Sequence, residues 1–156
     1  YPVIVHQSLT WMYNILDGVS EQDNILFQNE YFVLLPDIKW DGKNMDGVYC
    51  LAIVKDRSIR SIRDLNDTHI TMLENVYEYG MQTIKTVYNV ESSKLRAYFH
   101  YHPTYWHLHI HFNLIKNKMK GCIIDIAHSL LSVINNIKIA RNYYQIVDLE
   151  IIKHCN

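Results

Sequence analysis

Three segments of the chain repeat apolar residues with the 3.6-residue period of an amphipathic helix. They are SLTWMYNILDG near the start, residues 67–88 in the middle, and a segment at about 123–136 that follows a lysine-rich loop. The pattern therefore predicts three helices. Asp67 or Thr68 is expected to cap the longest of them, because short polar side chains accept from the free N–H groups of a first turn.

Five shorter segments are rich in apolar and aromatic residues without the helical period, which is typical of strands. They are NILFQN, YFVLLP, VYCLAIV, KLRAYFHY and WHLHIHFNLI, and YQIVDL near the end is a further candidate. Pro36 ends the second of them, since proline has no N–H to donate to a sheet. The strands come in neighbouring pairs with short connections, and helices are interleaved with these pairs. We therefore predict an α+β domain with a mainly antiparallel sheet and packed helices.

Composition limits the classes of function. The chain has 156 residues, is 49% hydrophobic and contains no internal linker or repeat, so we expect one domain over residues 1–156. A formal net charge of -1 argues against a surface for long nucleic acid. The three cysteines form no CxxC pair, which favours a reducing compartment over a disulfide scaffold or a cysteine zinc site. No apolar segment approaches the roughly 20 residues of a membrane helix, and we expect no membrane association.

Histidine is concentrated in residues 100–112, HYHPTYWHLHIHF, where it occupies five of thirteen positions. His107, His109 and His111 alternate with apolar residues, so on a strand their side chains share one face. A polar sheet face is a poor explanation for three histidines within five residues. A metal site would use neutral imidazole, but the sequence offers no obvious carboxylate to complete the ligand set.

Phosphoryl chemistry explains the three histidines best, though narrowly. An imidazole with a pKa of about 6.5 is a good nucleophile toward phosphorus near neutral pH, because much of it is unprotonated. A second histidine on the same face can hold a phosphate oxygen and stabilise the charge of the transition state.

The segment HLHIHFN resembles the signature of the histidine triad superfamily, His-φ-His-φ-His-φ-φ with φ apolar, and only Asn113 departs from it. Within that superfamily, HYHPTYWHLHIHF is similar to the extended motif of the scavenger mRNA decapping enzymes. Three further segments resemble the same family in the same order: WMYNILDGVSE, FVLLPDIKW and RSIRDLNDTHI. The resemblance implies a histidine triad fold and covers the family's catalytic C-terminal domain. The family's N-terminal domain, which swaps between protomers, is not present in this chain.

The resemblance also implies an activity. The family hydrolyses the residual 7-methylguanosine cap dinucleotide, or a very short capped RNA, and releases 7-methylguanosine monophosphate. His109 is implied as the nucleophile that forms a covalent nucleotidyl-histidine intermediate. His107 is expected to orient the strand, and His102 lies outside the family pattern. We expect no metal and no cofactor, and a homodimer located in the cytoplasm and also in the nucleus.

The same resemblance implies contacts beyond the triad. The residues expected near the phosphates are His100, Thr104, Tyr105, His111, Lys39 and Tyr49. The residues expected around the cap nucleoside are Trp11, Glu21, Pro36, Asp37 and Ile38. Trp11 and Ile38 would sandwich the methylated base, whose positive charge adds a cation–π contribution of about 0.5–2 kcal/mol. Glu21 would accept from the N–H edge of that base. Each residue also has an ordinary structural explanation, such as core packing for Trp11.

Two features depart from the family. Its phosphate-binding arginine falls at Ile126, so Lys116, Lys118 or Lys120 would have to supply the positive charge, without the bidentate fork of arginine. Its N-terminal domain closes over the cap as a lid. If the natural protein lacks that domain, closure over the substrate must differ, and if this chain is part of a longer protein, its cap binding should be weaker than that of the whole enzyme. Two alternatives therefore stay open: a broader histidine triad dinucleoside polyphosphate hydrolase, and a non-catalytic cap-binding module.

Overall fold

The computed structural model describes residues 7–152, which fold around one six-stranded sheet. The strands are β1 Phe27–Gln28, β2 Phe32–Pro36, β3 Tyr49–Val54, β4 Leu95–His100, β5 His109–Leu114 and β6 Ala127–Ser129. The α-helices of the described residues are α1 Thr10–Leu16, α2 Ile70–Tyr88, α3 Leu130–Ile139 and α4 Tyr143–Ile146. The strand order is β1-β2-β3-β5-β4-β6 and every neighbouring pair is antiparallel, which confirms the predicted α+β class.

The histidine-rich strand β5 lies in the interior of the sheet, between β3 and β4. Its apolar residues Ile110 and Phe112 are fully buried in the larger core, together with buried residues of α2 and α3. Its alternate residues His109 and His111 face the other side of the sheet, as the two-residue period requires. That side is not an exposed polar surface, because both histidines are also buried.

Helix α1 covers part of the histidine side of the sheet. Its residues Met12 and Ile15 are buried in a second, smaller cluster with side chains of β2 and β3. Two members of that cluster, Leu51 and Ile53, stand directly opposite His111 and His109 in the β3–β5 register. The catalytic candidates therefore border an apolar cluster rather than open solvent.

The prediction that Asp67 or Thr68 caps the longest helix is wrong. Asn66 caps the 3₁₀ turn that leads into α2, and the N-cap position of α2 itself is His69, whose side chain makes no capping bond. The Asn66 side-chain oxygen accepts from the N–H of Thr68 at 2.9 Å, and the Asn66 N–H donates to Nδ1 of His69 at 3.1 Å. These bonds form a capping box around one 3₁₀ turn, and α2 begins only after it. An asparagine amide oxygen serves the same free N–H groups as the predicted residues would.

The helix predicted at about 123–136 begins later than expected, at Leu130. The preceding residues Ala127–Ser129 are strand β6, which pairs with the C-terminal half of β4, Tyr98–His100. The periodicity of residues 123–136 could not predict the pairing of β6 with β4, because periodicity reports only local structure and β4 lies about 30 residues earlier in the chain. Open strand edges attract such short strands, since they satisfy backbone N–H and C=O groups.

The strand predicted for YQIVDL is also wrong, because its first residues belong to helix α4. The Gln145 side chain donates to the backbone carbonyls of Arg63 and Leu65, and the carbonyls of Tyr144 and Val147 accept from Arg63. These bonds attach the segment to the loop before α2 rather than to the sheet. No helix within residues 7–152 is long and apolar enough to cross a membrane.

The contact between α2 and β5 gives the first testable prediction. A Cβ atom added to Gly80 would lie 2.5 Å from Cζ of the buried Phe112 ring. We expect Gly80→Ala to lower the free energy of unfolding by about 1–3 kcal/mol through overpacking, although alanine is the better helix former. Urea unfolding measures the change.

Glu78→Ala, on the exposed side of the same helix, is the matched control and should change stability by less than about 0.5 kcal/mol. Combining Gly80→Ala with Phe112→Leu should cost less than the sum of the two single variants, because the smaller side chain leaves room for the Cβ. Strict additivity of the two costs would show that the contact does not restrict residue 80.

Candidate active site

His109 is held in one tautomer by the backbone of its own strand. Its Nδ1 lies 2.7 Å from the carbonyl oxygen of His107. A carbonyl can only accept, so Nδ1 carries the hydrogen and Nε2 keeps its lone pair. Burial lowers the pKa of His109 to about 4, and neighbouring positive charge from His100, His107 and Lys39 adds to this. At neutral pH the imidazole is therefore an uncharged nucleophile.

His111 presents its other nitrogen to the same region. Its Nδ1 lies 2.6 Å from the hydroxyl of Tyr49, and its ring centroid is 5.0 Å from that of His109. Nε2 of His111 is buried and has no hydrogen-bond partner among residues 7–152. An unpaired buried polar atom costs about 1–3 kcal/mol, so this nitrogen marks a position where a ligand atom would be favourable.

His100, at the end of β4, lies against the triad histidine His111. Its ring stacks on His111 with centroids 4.1 Å apart, and its Nε2 donates to the carbonyl of Gly121 at 2.9 Å. A side chain at Gly121 would collide with this imidazole, because an added Cβ would lie 2.6 Å from Nε2. The loop after the triad is therefore packed directly on the site.

His107 has the structural role that its sequence position predicts. It precedes β5, and its buried Nε2 donates to the carbonyl of Val54 at 2.6 Å. Its ring also meets Tyr13 of α1 edge-on, at a centroid distance of 5.5 Å. His102, by contrast, is exposed and packs against the ring of Tyr101.

Lys39 is the lysine whose charge reaches the histidines. Burial is the largest cause of the lowered pKa of His100, His109 and His111, and the positive charge of Lys39 lowers each of these pKa values further. The backbone N–H of Lys39 donates at 2.8 Å to Oδ1 of Asp37, a buried carboxyl whose pKa is raised by burial. This turn after β2 thus brings one cation and one carboxyl toward the site.

The lysines of the loop after the triad are placed differently. Lys116 forms an exposed ion pair with Asp46. Lys120 begins the 3₁₀ turn that carries Gly121, and Lys118 is exposed in the loop before it. Ile126, where the family arginine was expected, is half-buried, and its carbonyl accepts from the N–H of Tyr101 at 2.9 Å.

The residues predicted around the base lie at the rim of the site. Trp11 is 37% exposed on a helix whose other large apolar residues are buried, so it is not a core residue. Its ring meets Tyr105 edge-on at a centroid distance of 5.2 Å. Helix α1 is fixed there by Arg57, which lies 4.5 Å from the centroid of the Tyr13 ring and forms an ion pair with Asp17.

The remaining predicted residues also lie on loops or strand ends. Ile38 is 97% exposed, and Pro36 is the last residue of β2. Glu21 has a left-handed backbone with φ of 58° and accepts from the side chain of Asn24 at 2.6 Å. Thr104 is exposed in the loop between β4 and β5.

Three further residues, which the sequence analysis did not assign to the site, form a series of contacts that begins at His111. Tyr98 lies opposite His111 in the β4–β5 register, with its ring nearly parallel to the imidazole. Cys122 contacts the Tyr98 hydroxyl, and Asn113 contacts Cys122. The signals in the sequence were weak: Tyr98 has the same strand parity as His100, and Asn113 breaks the apolar pattern of the triad motif.

The residues predicted to bind the cap neither form a metal site nor line the large cavity at the edge of β4. No group of three His, Cys, Asp or Glu side chains within residues 7–152 is placed to hold a metal ion. A cavity of about 460 Å³ lies at the edge of β4, lined among others by Arg96, Tyr98 and Cys122. None of the residues predicted to bind the cap lines it.

Comparison with known proteins assigns the family. The family model described as "Scavenger mRNA decapping enzyme C-term binding" matches residues 10–127. An m7GpppX diphosphatase from Rattus norvegicus is 41% identical over 150 residues, which are 92% of this chain and 45% of that protein. The chain belongs to the scavenger mRNA decapping enzyme C-terminal family. The resemblance inferred from the sequence segments is confirmed.

Other members of the scavenger decapping family give the same match. The m7GpppX diphosphatase of Homo sapiens is 40% identical over 88% of this chain and 42% of its own length. That of Caenorhabditis elegans is 38% identical over 88% of this chain and 46% of its own length. The chain thus spans less than half the length of these relatives.

Solved structures agree on the fold. A HIT family hydrolase from Legionella pneumophila Philadelphia 1 superposes with a TM-score of 0.56 at 19% identity, covering 70% of this chain and 94% of that one. A HIT family hydrolase from Clostridium thermocellum gives a TM-score of 0.55 at 15% identity, covering 71% and 95%. The histidine triad fold is therefore confirmed.

The depressed pKa of His109 predicts how stability depends on pH. Because the pKa falls from 6.5 to about 4 on folding, the unfolded chain binds the proton more tightly between these values. Stability from this group is complete above pH 6.5 and is lost as the pH falls toward 4. Between pH 7.5 and 5 the loss from His109 alone should be about 2 kcal/mol, measured as the free energy of unfolding in urea.

His109→Gln, which cannot titrate, should show a smaller loss over the same interval. The other histidines with lowered pKa values add to the loss in both proteins: His100, His102, His107, His111 and His128. Identical pH dependence in wild type and His109→Gln would mean that His109 is not buried in its neutral form.

Proposed function

We propose that this domain hydrolyses the residual 7-methylguanosine cap dinucleotide, or a very short capped RNA, through a covalent intermediate on His109. The observation that carries the proposal is the tautomer of His109. Its Nδ1–H is bound to the His107 carbonyl, so the lone pair of Nε2 is available for attack. Membership of the decapping family, and relatives named m7GpppX diphosphatase, support the choice of substrate.

The reaction has two displacements at one phosphorus atom. First, Nε2 of His109 attacks the phosphorus attached to methylguanosine. The bond from that phosphorus to the bridging oxygen breaks, and the rest of the dinucleotide leaves with the bridging oxygen on its terminal phosphate. Water then attacks the nucleotidyl-histidine, displaces the imidazole and gives 7-methylguanosine monophosphate. Because the first leaving group is itself a phosphate, it needs little help from a general acid.

Two groups near His109 are available to meet the charge of the phosphates. Lys39 supplies positive charge, and the unpartnered Nε2 of His111 is available to contact a phosphate oxygen. Tyr49 supports that imidazole from behind. This combination supports attack at phosphorus without a metal ion, since it stabilises developing negative charge with fixed donors.

Recognition of the base favours a methylated cap over a general dinucleoside polyphosphate. Trp11 is partly exposed beside Tyr105, and Ile38 is almost fully exposed, so both apolar surfaces are free to stack on a base. A positively charged methylguanine gains cation–π attraction from an indole that an uncharged base does not. Glu21 supplies a carboxylate for the donors on the guanine edge.

A homodimer and an intracellular location belong to the same proposal. Ile115, Ile124 and Leu131 are exposed around the cavity at the β4 edge, and contiguous apolar surface of this kind is typical of interfaces. Cys50 and Cys122 are free thiols, which fits a reducing compartment such as the cytoplasm or nucleus.

The main test is release of 7-methylguanosine monophosphate from methylated cap dinucleotide in the presence of EDTA. We expect turnover by the wild type and a loss of at least about 10³-fold in His109→Ala, because the nucleophile is removed. His102→Ala, which alters an exposed histidine outside the site, is the matched control and should retain wild-type activity.

The same assay separates the alternatives. Binding of the cap dinucleotide without any release by the wild type would contradict the proposal and favour a cap-binding module. Equal kcat/KM values for methylated cap and for an unmethylated dinucleoside polyphosphate would favour the broader hydrolase. Loss of turnover in EDTA would contradict the metal-free mechanism.

Trp11→Ala tests the base-stacking contact. We expect KM for the methylated cap dinucleotide to rise by about 2- to 30-fold, the equivalent of losing a cation–π contact. The increase should be smaller for the unmethylated dinucleotide, because its base carries no charge. Steady-state kinetics with both substrates measure the difference.

Trp11→Phe should retain part of the preference, and Ile139→Ala, at an exposed apolar residue of α3, should change neither KM. An equal rise in KM for both substrates in Trp11→Ala would show that Trp11 does not distinguish the methylated base.

A further inference from the structure

A chain of hydrogen bonds leads from His111 to the loop behind the site. The hydroxyl of Tyr49 is bonded to His111 Nδ1, and Tyr98, whose ring is also stacked with that imidazole, interacts with the side chain of Tyr49. Sγ of Cys122 lies 3.2 Å from the Tyr98 hydroxyl, and Nδ2 of Asn113 lies 3.4 Å from that sulfur. None of the last three residues belongs to the catalytic set derived above.

The two hydroxyls and the amide of this chain have little access to water, whereas Cys122 is half-buried and lines the cavity at the β4 edge. Tyr49 and Tyr98 are each 3% exposed, and Asn113 is completely buried. Both tyrosine rings lie nearly parallel to the imidazole of His111, at interplanar angles of 15° and 16°. Because water has little access to these polar atoms, their hydrogens have to be shared among the members of the chain.

The chemistry of the groups favours one direction for the hydrogens. A phenol O–H is the best neutral donor in the chain, and the unprotonated nitrogen of an imidazole is the best acceptor. In that direction Asn113 donates to Cys122, Cys122 to Tyr98, Tyr98 to Tyr49, and Tyr49 to Nδ1 of His111. Each member then donates along one of the contacts described above.

The opposite direction is less favourable. It would make the sulfur of Cys122 the acceptor for both Tyr98 and Asn113, although sulfur is a weak acceptor. The thiol hydrogen would then have only the side-chain oxygen of Asn113, at 3.7 Å. The preferred direction therefore makes better use of the same atoms.

We propose that Tyr98, Cys122 and Asn113 are positioning residues that hold neutral His111 with its hydrogen on Nε2. That nitrogen is buried and has no hydrogen-bond partner among residues 7–152, so its hydrogen is available to a phosphate oxygen. The neighbouring His109 has the opposite tautomer, with its hydrogen on Nδ1. One imidazole is thus prepared as nucleophile and the next as donor.

The proposal also accounts for the departure of Asn113 from the triad motif. An apolar residue at this position would leave the thiol of Cys122 without its donor, and the hydrogens of the chain could reverse. The identity of the phosphate oxygen rests on the proposed function, whereas the tautomer of His111 is a property of the free protein.

The test is long-range ¹H–¹⁵N NMR of the free protein with labelled histidine, with His111→Gln used to assign the signals. We expect His111 of the wild type to show a protonated Nε2 and an unprotonated Nδ1. In Tyr98→Phe the ring remains but the donor to Tyr49 is lost. The Tyr49 oxygen can then accept from His111, and both signals should shift toward a mixture of tautomers.

Two variants serve as controls. Cys122→Ser keeps a donor at the same place and should preserve the wild-type spectrum. Tyr144→Phe removes the hydroxyl of another buried tyrosine, which accepts from Asn136 rather than from this chain, and should leave His111 unchanged. A hydrogen on Nδ1 of wild-type His111, or an unchanged spectrum in Tyr98→Phe, would overturn the proposal.

Turnover of the methylated cap dinucleotide is measured separately on the same proteins. Tyr98→Phe should lower kcat/KM by about 2- to 10-fold, the equivalent of one hydrogen bond, and Cys122→Ser should not. A wild type that shows the expected tautomer without turnover would support the positioning chain and refute the proposed activity. Unchanged kcat/KM in Tyr98→Phe, with an altered tautomer, would refute a role for that tautomer in the reaction.

Discussion

Burial of uncharged imidazole on an interior strand is the constraint on which the site depends. Strand β5 lies between two other strands, and both of its faces are buried. Its apolar residues fill the core beneath α2, which leaves the histidines no choice of face. An imidazole in such a place has to be neutral, and each nitrogen needs a partner or a ligand.

The partners of the imidazoles determine their chemistry. A backbone carbonyl receives the hydrogen of His109, and another receives that of His107. A tyrosine hydroxyl faces Nδ1 of His111 instead, and a hydroxyl, unlike a carbonyl, can donate. The different roles proposed for His109 as nucleophile and His111 as phosphate donor thus follow from the group that each ring meets at Nδ1. The rings themselves are chemically identical.

The same burial that favours the nucleophile weakens the fold in acid. Lowering the pKa of a histidine keeps its lone pair available at neutral pH, but it also makes proton binding favour the unfolded chain. The adjacent positive charge of Lys39 acts in the same direction. Stability and reactivity at this site therefore share one electrostatic cause and cannot be adjusted independently.

Local patterns in the sequence were sufficient for the sheet strands near the site and for α2. The alternation of apolar residues and histidines predicted both faces of β5, because side-chain direction in a strand depends only on parity. The late start of α3 and the helix at Tyr143–Ile146 were not predictable in this way. Both depend on contacts with distant parts of the chain, which periodicity does not report. The bond between Cys122 and Tyr98 is of the same kind.

The position of Ile126 bears on the proposed phosphate site, which lacks the family arginine. Its backbone is used to extend the edge of β4, and its side chain carries no charge. In the adjoining turn, the carbonyl of Gly121 accepts a hydrogen bond from His100, whose ring is stacked on His111. Fixed neutral donors cost less to bury than a guanidinium, but each of them has to point the right way. That requirement explains why the hydrogen-bond chain behind His111 matters more here than it would beside an arginine.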